Sequence, residues 1–449
     1  MKPFAVLGLS LFLSGVLYAQ FGSRVMLETV SRGITDIAAG DLNQDGKPDI
    51  VVSQKGTNRL VFYPAGDSGG FSPAQPIATM ARPQTVAVGD LNQDGLDDIV
   101  AASFRISMAE DTLYFFRNDS GGAFTPVVID TFSALAHKIS DVELSDMNGD
   151  GVSDVITMAD VRLTLYVNNG HASFSRVILS PVLSEYYELS VADLDGNGFP
   201  DVIVGGVKTF VWMNDSGVLM YDSARSASIA SEGLVFLVHA ADFDGDGDAD
   251  LVLSDKSNTR LQLYENNGNG FFSVRSVIQT DFIQCKSMAS ADFDGDGDRD
   301  ILTAFPQQGR VVWYANAGDG TFGAAQTIDT AVSPSPRQVH AAELNRDGGA
   351  DVIWADPLSV HFNARLLRLR GKDAAPDVRV FPNPAGAVVT VQMPTAGTLS
   401  VWNALGAEIR SGIALVSGVN RLRLNLKPGL YLLDCRTPQG RVMKTLLIR

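Results

Sequence analysis

The sequence predicts an all-β protein: a seven-bladed β-propeller whose N-terminal strand completes blade seven, followed by a small Ig-like β-sandwich. Three observations lead there. A nine-residue acidic pattern recurs seven times, beginning at Asp41, Asp90, Asp146, Asp193, Asp242, Asp292 and Glu343, at intervals of 47 to 56 residues; such a period marks propeller blades or solenoid units. Within each period, short strand-like runs are bounded by Gly, Asn and Asp and lack helical periodicity, as antiparallel hairpins do. The last period lacks a fourth strand, whereas Phe21–Val30 stands before the first period with no unit of its own. That segment parallels Phe322–Thr330, the fourth strand of unit six, so it is expected to close a ring and protect its edges. An open solenoid needs capping units, and none is evident.

The acidic pattern carries the chemistry. Its strongest copy is Asp292-Phe293-Asp294-Gly295-Asp296-Gly297-Asp298-Arg299-Asp300. Side-chain oxygens fall at positions 1, 3, 5 and 9, and glycine at position 6 permits a sharp turn. A hard cation such as calcium takes about six to eight oxygens at about 2.3–2.6 Å, which this spacing can largely supply. The candidate ligands are Asp41, Asn43, Asp45 and Asp49; Asp90, Asn92, Asp94 and Asp98; Asp146, Asn148, Asp150 and Asp154; Asp193, Asp195, Asn197 and Asp201; Asp242, Asp244, Asp246 and Asp250; Asp292, Asp294, Asp296 and Asp300; and Glu343, Asn345, Asp347 and Asp351. Up to seven Ca2+ ions are expected. An apolar run follows the loop and Thr303 stands at position 12, so the loop is not an EF-hand. A mere polar turn does not require these oxygens at fixed offsets.

Composition limits the alternatives. The chain has 449 residues and a net charge of −16. Roughly half of its 51 acidic residues lie in the seven loops. An acidic chain is a poor partner for nucleic acid, which needs basic surface. Cys285 and Cys435 fall in different expected domains and read as two buried thiols rather than a disulfide. At the N-terminus, Lys2, an apolar stretch from Phe4 to Val16 and Leu17-Tyr18-Ala19 read as a signal peptide over residues 1–19. No later segment reads as a transmembrane helix.

Taken in order, each repeat supplies its strands. In the sixth they are Lys286–Ala291, Asp300–Ala304, Arg310–Ala315 and Phe322–Thr330; in the fifth, Val235–Ala241, Asp250–Leu253, Leu261–Glu265 and Phe272–Gln279. In the seventh, Asp351–Trp354 and His361–Leu369 are expected. Four residues before each loop stand Ile37, Val86, Val142, Leu189, Val238, Met288 and Val339, and small residues adjoin the loops. This suits a crowded innermost strand.

These repeats resemble FG-GAP or VCBS repeats, as in integrin α-subunit propellers and many bacterial surface proteins. Phe322-Gly323 is similar to the name motif, and Asn168-Asn169-Gly170 and Asn266-Asn267-Gly268 resemble the turn before it. The resemblance covers residues 20–371 and implies a seven-bladed propeller with calcium between the first and second strands of a blade. Glu343, Arg346 and Gly349 depart from the strong copies, and Asn197 lowers the charge of the fourth loop.

Residues 372–377 read as a linker, and 378–449 form a second domain. Val380-Phe381-Pro382-Asn383-Pro384, Leu405-Gly406, Pro428-Gly429-Leu430-Tyr431 and a basic, apolar last strand resemble the type A sorting domain of the type IX secretion system (T9SS). This implies handling by that machinery and release or attachment at the cell surface.

For catalysis, Glu143, His239 and His340 share one register three residues before their loops, with Asp141 and Glu188 two residues further upstream; they are expected to line a central channel. No G-x-S-x-G, phosphate-binding loop or cysteine–histidine pairing accompanies them. Loops at Ser103–Thr112, Asp130–Lys138, Ser180–Tyr187, Arg225–Gly233, Gln279–Lys286 and Asp329–Arg337 vary most. Tyr186, Tyr187, Phe282 and Phe305, with Arg105, Lys208 and Arg337, are expected to form a mixed aromatic and basic surface there. The expected function is a non-catalytic recognition module for a glycan or surface protein. The alternative is a polysaccharide-active enzyme, such as a lyase, with its site in the channel.

Overall fold

The computed structural model describes residues 21–363 and 379–448, except 67–69, 105–110, 133–138, 140, 160–161, 172, 180–185, 230–233, 256–259, 281–284, 331–335, 382–387, 394, 404–407, 425, 428 and 438–439. The expected signal peptide and linker lie outside the described residues. So do most of the variable loops.

The fold is all-β. From Ile34 onward one unit recurs: four antiparallel strands in chain order, each bonded to the next. The first sheet contains Ile34–Gly40, Asp49–Gln54, Arg59–Tyr63 and Gln75–Thr79. The second contains Pro83–Gly89, Asp98–Ser103, Asp111–Asn118 and Phe124–Phe132. The third contains Val142–Ser145, Asp154–Ala159, Arg162–Asn168 and Phe174–Ile178. The fourth contains Tyr186–Ala192, Asp201–Gly206, Phe210–Asp215 and Val218–Tyr221. The fifth contains Val235–Ala241, Asp250–Asp255, Arg260–Asn266 and Phe272–Gln279. The sixth contains Ser287–Ala291, Asp300–Phe305, Arg310–Tyr314 and Gln326–Thr330.

The last sheet takes three strands from its own repeat, Gln338–Ala342, Asp351–Ala355 and Ser359–His361. Its fourth is Val25–Met26, antiparallel to Ser359–His361, and Phe21 bridges Asn363. His361 fixes this junction: Nδ1 is 3.1 Å from the Gly22 carbonyl oxygen and Nε2 is 3.0 Å from Asp329 Oδ2 on the sixth sheet.

Burial explains the strand sequences. The second strand of each sheet is an almost unbroken apolar run, and Asp49–Gln54, Asp98–Ser103, Asp201–Gly206 and Asp300–Phe305 are buried throughout. Such a run fits a strand covered on both faces, whereas a half-buried strand alternates. The cover comes from the neighbouring sheets. Leu60, Phe62, Val86 and Ile99 share a core between the first two sheets. Similar layers join every successive pair, and Ile50, Val52, Leu344, Ile353 and Val360 join the last sheet to the first. Full burial of each large apolar side chain contributes about 1.5–3 kcal/mol, so the stacked sheets stabilise one another. The first strands of consecutive sheets lie side by side, and Gln338–Ala342 lies against Ile34–Gly40.

Two expectations need correction, and one helix is added. The third strand of the last sheet is Ser359–His361 rather than His361–Leu369; residues 364–370 lie outside the described set. The fourth strand of the sixth sheet begins at Gln326, because Phe322 pairs only as an isolated bridge with Asn316. A helix at Ser223–Ser228 follows the fourth sheet, capped by Asp222, whose Oδ1 accepts the N–H groups of Ala224 and Arg225.

The C-terminal part is separate in sequence and core. Arg379–Phe381, Val388–Met393 and Gly418–Arg423 form one sheet; Glu408–Leu415, Gly397–Asn403, Gly429–Thr437 and Gly440–Ile448 form another. Val389, Val391, Leu399, Val401, Leu433 and Leu446 from both sheets share a core. Cys285 and Cys435 are buried free thiols. Among the described residues, no helix is long and apolar enough to cross a membrane.

Candidate metal centres

Each acidic loop connects the first and second strands of its sheet. Position 2 anchors it: Leu42, Leu91, Met147, Leu194, Phe243, Phe293 and Leu344 are all buried. Position 4 adopts the left-handed region in every copy, at Gln44, Gln93, Gly149, Gly196, Gly245, Gly295 and Arg346, and so does the position 6 glycine. Sequence reasoning identified position 6 and missed position 4. Glycine there in the third to sixth loops was the available signal, since a residue with a Cβ is strained at positive φ.

The turns aim the side chains inward. The position 1 carboxylate accepts the position 6 N–H, for example Gly46 to Asp41 at 2.7 Å and Gly198 to Asp193 at 2.8 Å. Position 9 ties the loop to the sheet. Asp300 Oδ2 accepts the Phe293 N–H at 2.8 Å and its Oδ1 accepts the Asn316 N–H at 2.8 Å. Asp49, Asp98, Asp154, Asp201, Asp250 and Asp351 make the same two bonds.

Carboxylates converge in three loops. Oxygens of Asp193, Asp195 and Asp201 lie within 4.8 Å of one another, as do those of Asp242, Asp244 and Asp246, and of Asp292, Asp294 and Asp300. Position 3 in the other loops is asparagine, whose Oδ1 accepts the position 5 N–H, as between Asn43 and Asp45 at 2.9 Å. The fourth loop's Asn197, at position 5, instead donates Nδ2 to the Asn214 carbonyl at 2.9 Å. In the last loop Glu343 reaches the Asp347 N–H at 3.0 Å.

Electrostatics agrees with a cation-binding role. Burial is the main cause that pushes Asp49, Asp98, Asp154, Asp201 and Asp250 up to about 6, Asp351 to about 7 and Asp300 to about 8, and the other loop carboxylates add to the rise. Crowded anions that lack a counter-charge take up protons. Asp90 Oδ1 and Asp195 Oδ1 are buried with no hydrogen-bond partner. An all-oxygen donor set with orphaned carboxylate oxygens suits a hard cation. The fifth loop contains a competitor: Arg275 Nη1 lies 2.7 Å from Asp244 Oδ2 and 2.9 Å from Glu265 Oε2, while Nη2 bonds the Asp319 carbonyl at 2.7 Å.

A second set of site residues escaped the sequence reading. Asn118, Asn168, Asn214, Asn266, Asn316 and Asn363 lie at or just beyond the ends of the third strands. Each donates Nδ2 to the position 2 carbonyl of the preceding sheet's loop, at 2.6–3.0 Å. The first sheet has Ala65 in that place. The signal was an asparagine recurring near the end of the third strand in the second to last repeats.

The inner strands carry the channel candidates. Glu143 is solvent-exposed, and Glu188, Asp141, His239 and His340 are half-buried. His239 Nε2 lies 2.8 Å from Ser290 Oγ. The expected aromatic surface is not borne out at Phe305, which is buried in the core between the fifth and sixth sheets. Lys208 stacks on Phe210 at 5.1 Å. Phe282 and Arg105, and the side chains of Tyr186 and Tyr187, lie outside what is described.

Comparison with known proteins follows the same division of the chain. The FG-GAP-like repeat model matches residues 41–101, 91–157, 146–204, 242–303 and 292–354. The model for a secretion system C-terminal sorting domain matches residues 379–449. No curated protein sequence matches the chain. Among solved structures, one described as showing specific recognition of non-reducing terminal N-acetylglucosamine by an Agrocybe aegerita lectin is 20% identical, covering 67% of this chain and 81% of that one at a TM-score of 0.49. Another, BBS1N in complex with ARL6DN, is 13% identical, covering 78% of this chain and 99% of that one at a TM-score of 0.55. The likeness to the latter is one of fold. The repeats and the C-terminal match together assign the chain: it belongs to the FG-GAP-like repeat family and ends in a secretion system C-terminal sorting domain.

Proposed function

We propose that this protein is an exported, calcium-stabilised, seven-bladed β-propeller that serves as a recognition module for a glycan or a surface protein. Residues 20–371 form the propeller, closed by the N-terminal strand. Residues 1–19 are a signal peptide, 372–377 a linker, and 378–449 an Ig-like sandwich read by the T9SS machinery, which delivers the chain to the medium or the outer surface. The observation that carries the reading is the convergence of loop carboxylates within 4.8 Å in the fourth, fifth and sixth loops, together with the buried, unpartnered oxygen of Asp195. Calcium joins the two strands on either side of each loop. The rigid array then presents the connections between strands as a contact surface.

The test uses the whole secreted chain. Its melting temperature is measured in calcium and in chelator, and a glycan array is probed under both conditions. A lower melt in chelator and calcium-dependent binding of intact sugars support the reading. An unchanged melt removes the structural ion. Sugars recovered cleaved, by mass spectrometry, replace recognition with catalysis in the channel.

A further inference from the structure

We propose that the inner strands form a ligand site separate from the acidic loops, in which Glu143 and Glu188 bind the protonated amine of an organic cation.

Four carboxylates from three sheets gather along the inner strands: Asp36 on the first, Asp141 and Glu143 on the third, and Glu188 on the fourth. The charges of Asp36 and Asp141 bear on Glu143, and those of Asp36, Asp141 and Glu143 bear on Glu188.

Its members divide by what their oxygens already do. Asp36 Oδ1 accepts the Ile37 N–H, and Oδ2 accepts the Thr85 hydroxyl and the Val86 N–H, each at 2.9 Å. Asp141 accepts the N–H groups of Val142 and Leu189, also at 2.9 Å. These two fasten one sheet to another. Glu188 bonds the Val238 N–H and is enclosed by protein. Yet its Oε2 is shielded from solvent and has no hydrogen-bond partner. A buried carboxylate oxygen left unpaired is costly, so this atom points to a donor supplied from outside the chain. Glu143 is exposed to solvent on the inner strand of the third sheet, so an arriving solute can reach it. Backbone irregularities set the arrangement: the strand register slips immediately before Asp36 and before Glu188, and such bulges re-aim side chains.

The spacing selects the kind of cation. In three of the acidic loops, carboxylate oxygens of three residues come within 4.8 Å of one another, but among the described residues no three along the inner strands do so. A chelated bare ion needs that closeness. An ammonium nitrogen instead needs as few as two carboxylate oxygens, each accepting one N–H at about 2.7–2.9 Å. The imidazoles on the inner strands of the fifth and last sheets do not oppose it: burial holds His239 and His340 down to about 4, with Arg299 adding to the effect at His239. Both are neutral near pH 7.

The test is isothermal titration of spermidine into the full secreted chain in saturating calcium, with tetramethylammonium, which has no N–H donor, as the comparison. Saturable spermidine binding, weakened at least tenfold by Glu143→Gln and by Glu188→Gln, with tetramethylammonium silent, is expected. Melting curves in calcium check that each variant folds; Glu143, exposed and unbonded among the described residues, serves as the variant least able to disturb packing. Non-saturable binding, equal binding of tetramethylammonium, or affinity unchanged in a folded Glu143→Gln protein overturns the assignment.

Discussion

Asn316 Nδ2 donates to the carbonyl oxygen of Phe243 at 2.7 Å, from the end of one sheet's third strand to the acidic loop of the sheet before it. The same amide bonds the Arg299 carbonyl of its own loop at 3.0 Å. One buried side chain thus fixes two consecutive loops. Asn316→Ala leaves both carbonyls without this donor. We expect a loss of about 1–3 kcal/mol of stability, read as a lower urea midpoint at unchanged slope. A variant that unfolds like the parent would show that the ladder contributes nothing.

Arg275 places a guanidinium on Asp244, the position 3 carboxylate of the fifth loop. Calcium at that loop must compete with it. Arg275→Gln is expected to raise the affinity of one calcium site by about tenfold, equivalent to about 1.4 kcal/mol, while the melt in chelator falls because the bond to the Asp319 carbonyl is lost. Calcium titration calorimetry reads the first effect. Identical isotherms for parent and variant would mean that the guanidinium does not guard the site.

The position 9 carboxylates give the calcium-free protein a pH dependence of definite sign. An ordinary aspartate titrates near about 3.9, whereas folding raises these groups to about 6, and Asp300 to about 8, chiefly through burial. A raised folded-state pKa means that the folded form holds protons the unfolded chain has released. The resulting stabilisation is complete below about pH 4 and is lost as pH rises through 6 to 8. In chelator, the melting temperature should therefore fall between pH 5 and pH 8. Calcium should flatten that slope, since the ion takes the place of the protons. Equal melts at pH 5 and pH 8 in chelator would contradict this.

The N-terminal strand closes the last sheet through few residues. Phe21 packs edge-on against Phe293 and Trp313 at 5.9 and 6.3 Å, and Arg24 lies over Trp354 at 5.6 Å. Removing Phe21–Val30 exposes the edge of Ser359–His361 and takes the Gly22 carbonyl from His361. A fall of about 5–10 °C in melting temperature is expected, with aggregation through the open edge. A truncated protein that melts like the parent would place ring closure elsewhere.

Much of this was written locally. Seven loops with oxygens at fixed offsets, a glycine at position 6 and continuous apolar second strands need no long-range information. They follow from turn geometry and from the preference of doubly covered strands for apolar residues. The missing fourth strand after Asp351 even told where Val25–Met26 would pair. Contacts between units were not legible in the same way. Nothing within one repeat says that Asn316 will meet Phe243, that Arg275 will cover Asp244, or that Phe305 turns into the core. Those outcomes depend on how neighbouring sheets stack. The grouping of Asp36, Asp141, Glu143 and Glu188 likewise depends on the inner strands of three separate sheets, which carry residues as much as 152 positions apart in the chain. The repeat, its strands and its acidic loops were readable from residues close together in the chain, because those rest on local turn chemistry and burial pattern. Which oxygens are satisfied and which are left unpaired emerges from the stacking of the sheets, because those hydrogen bonds form between one sheet and the next.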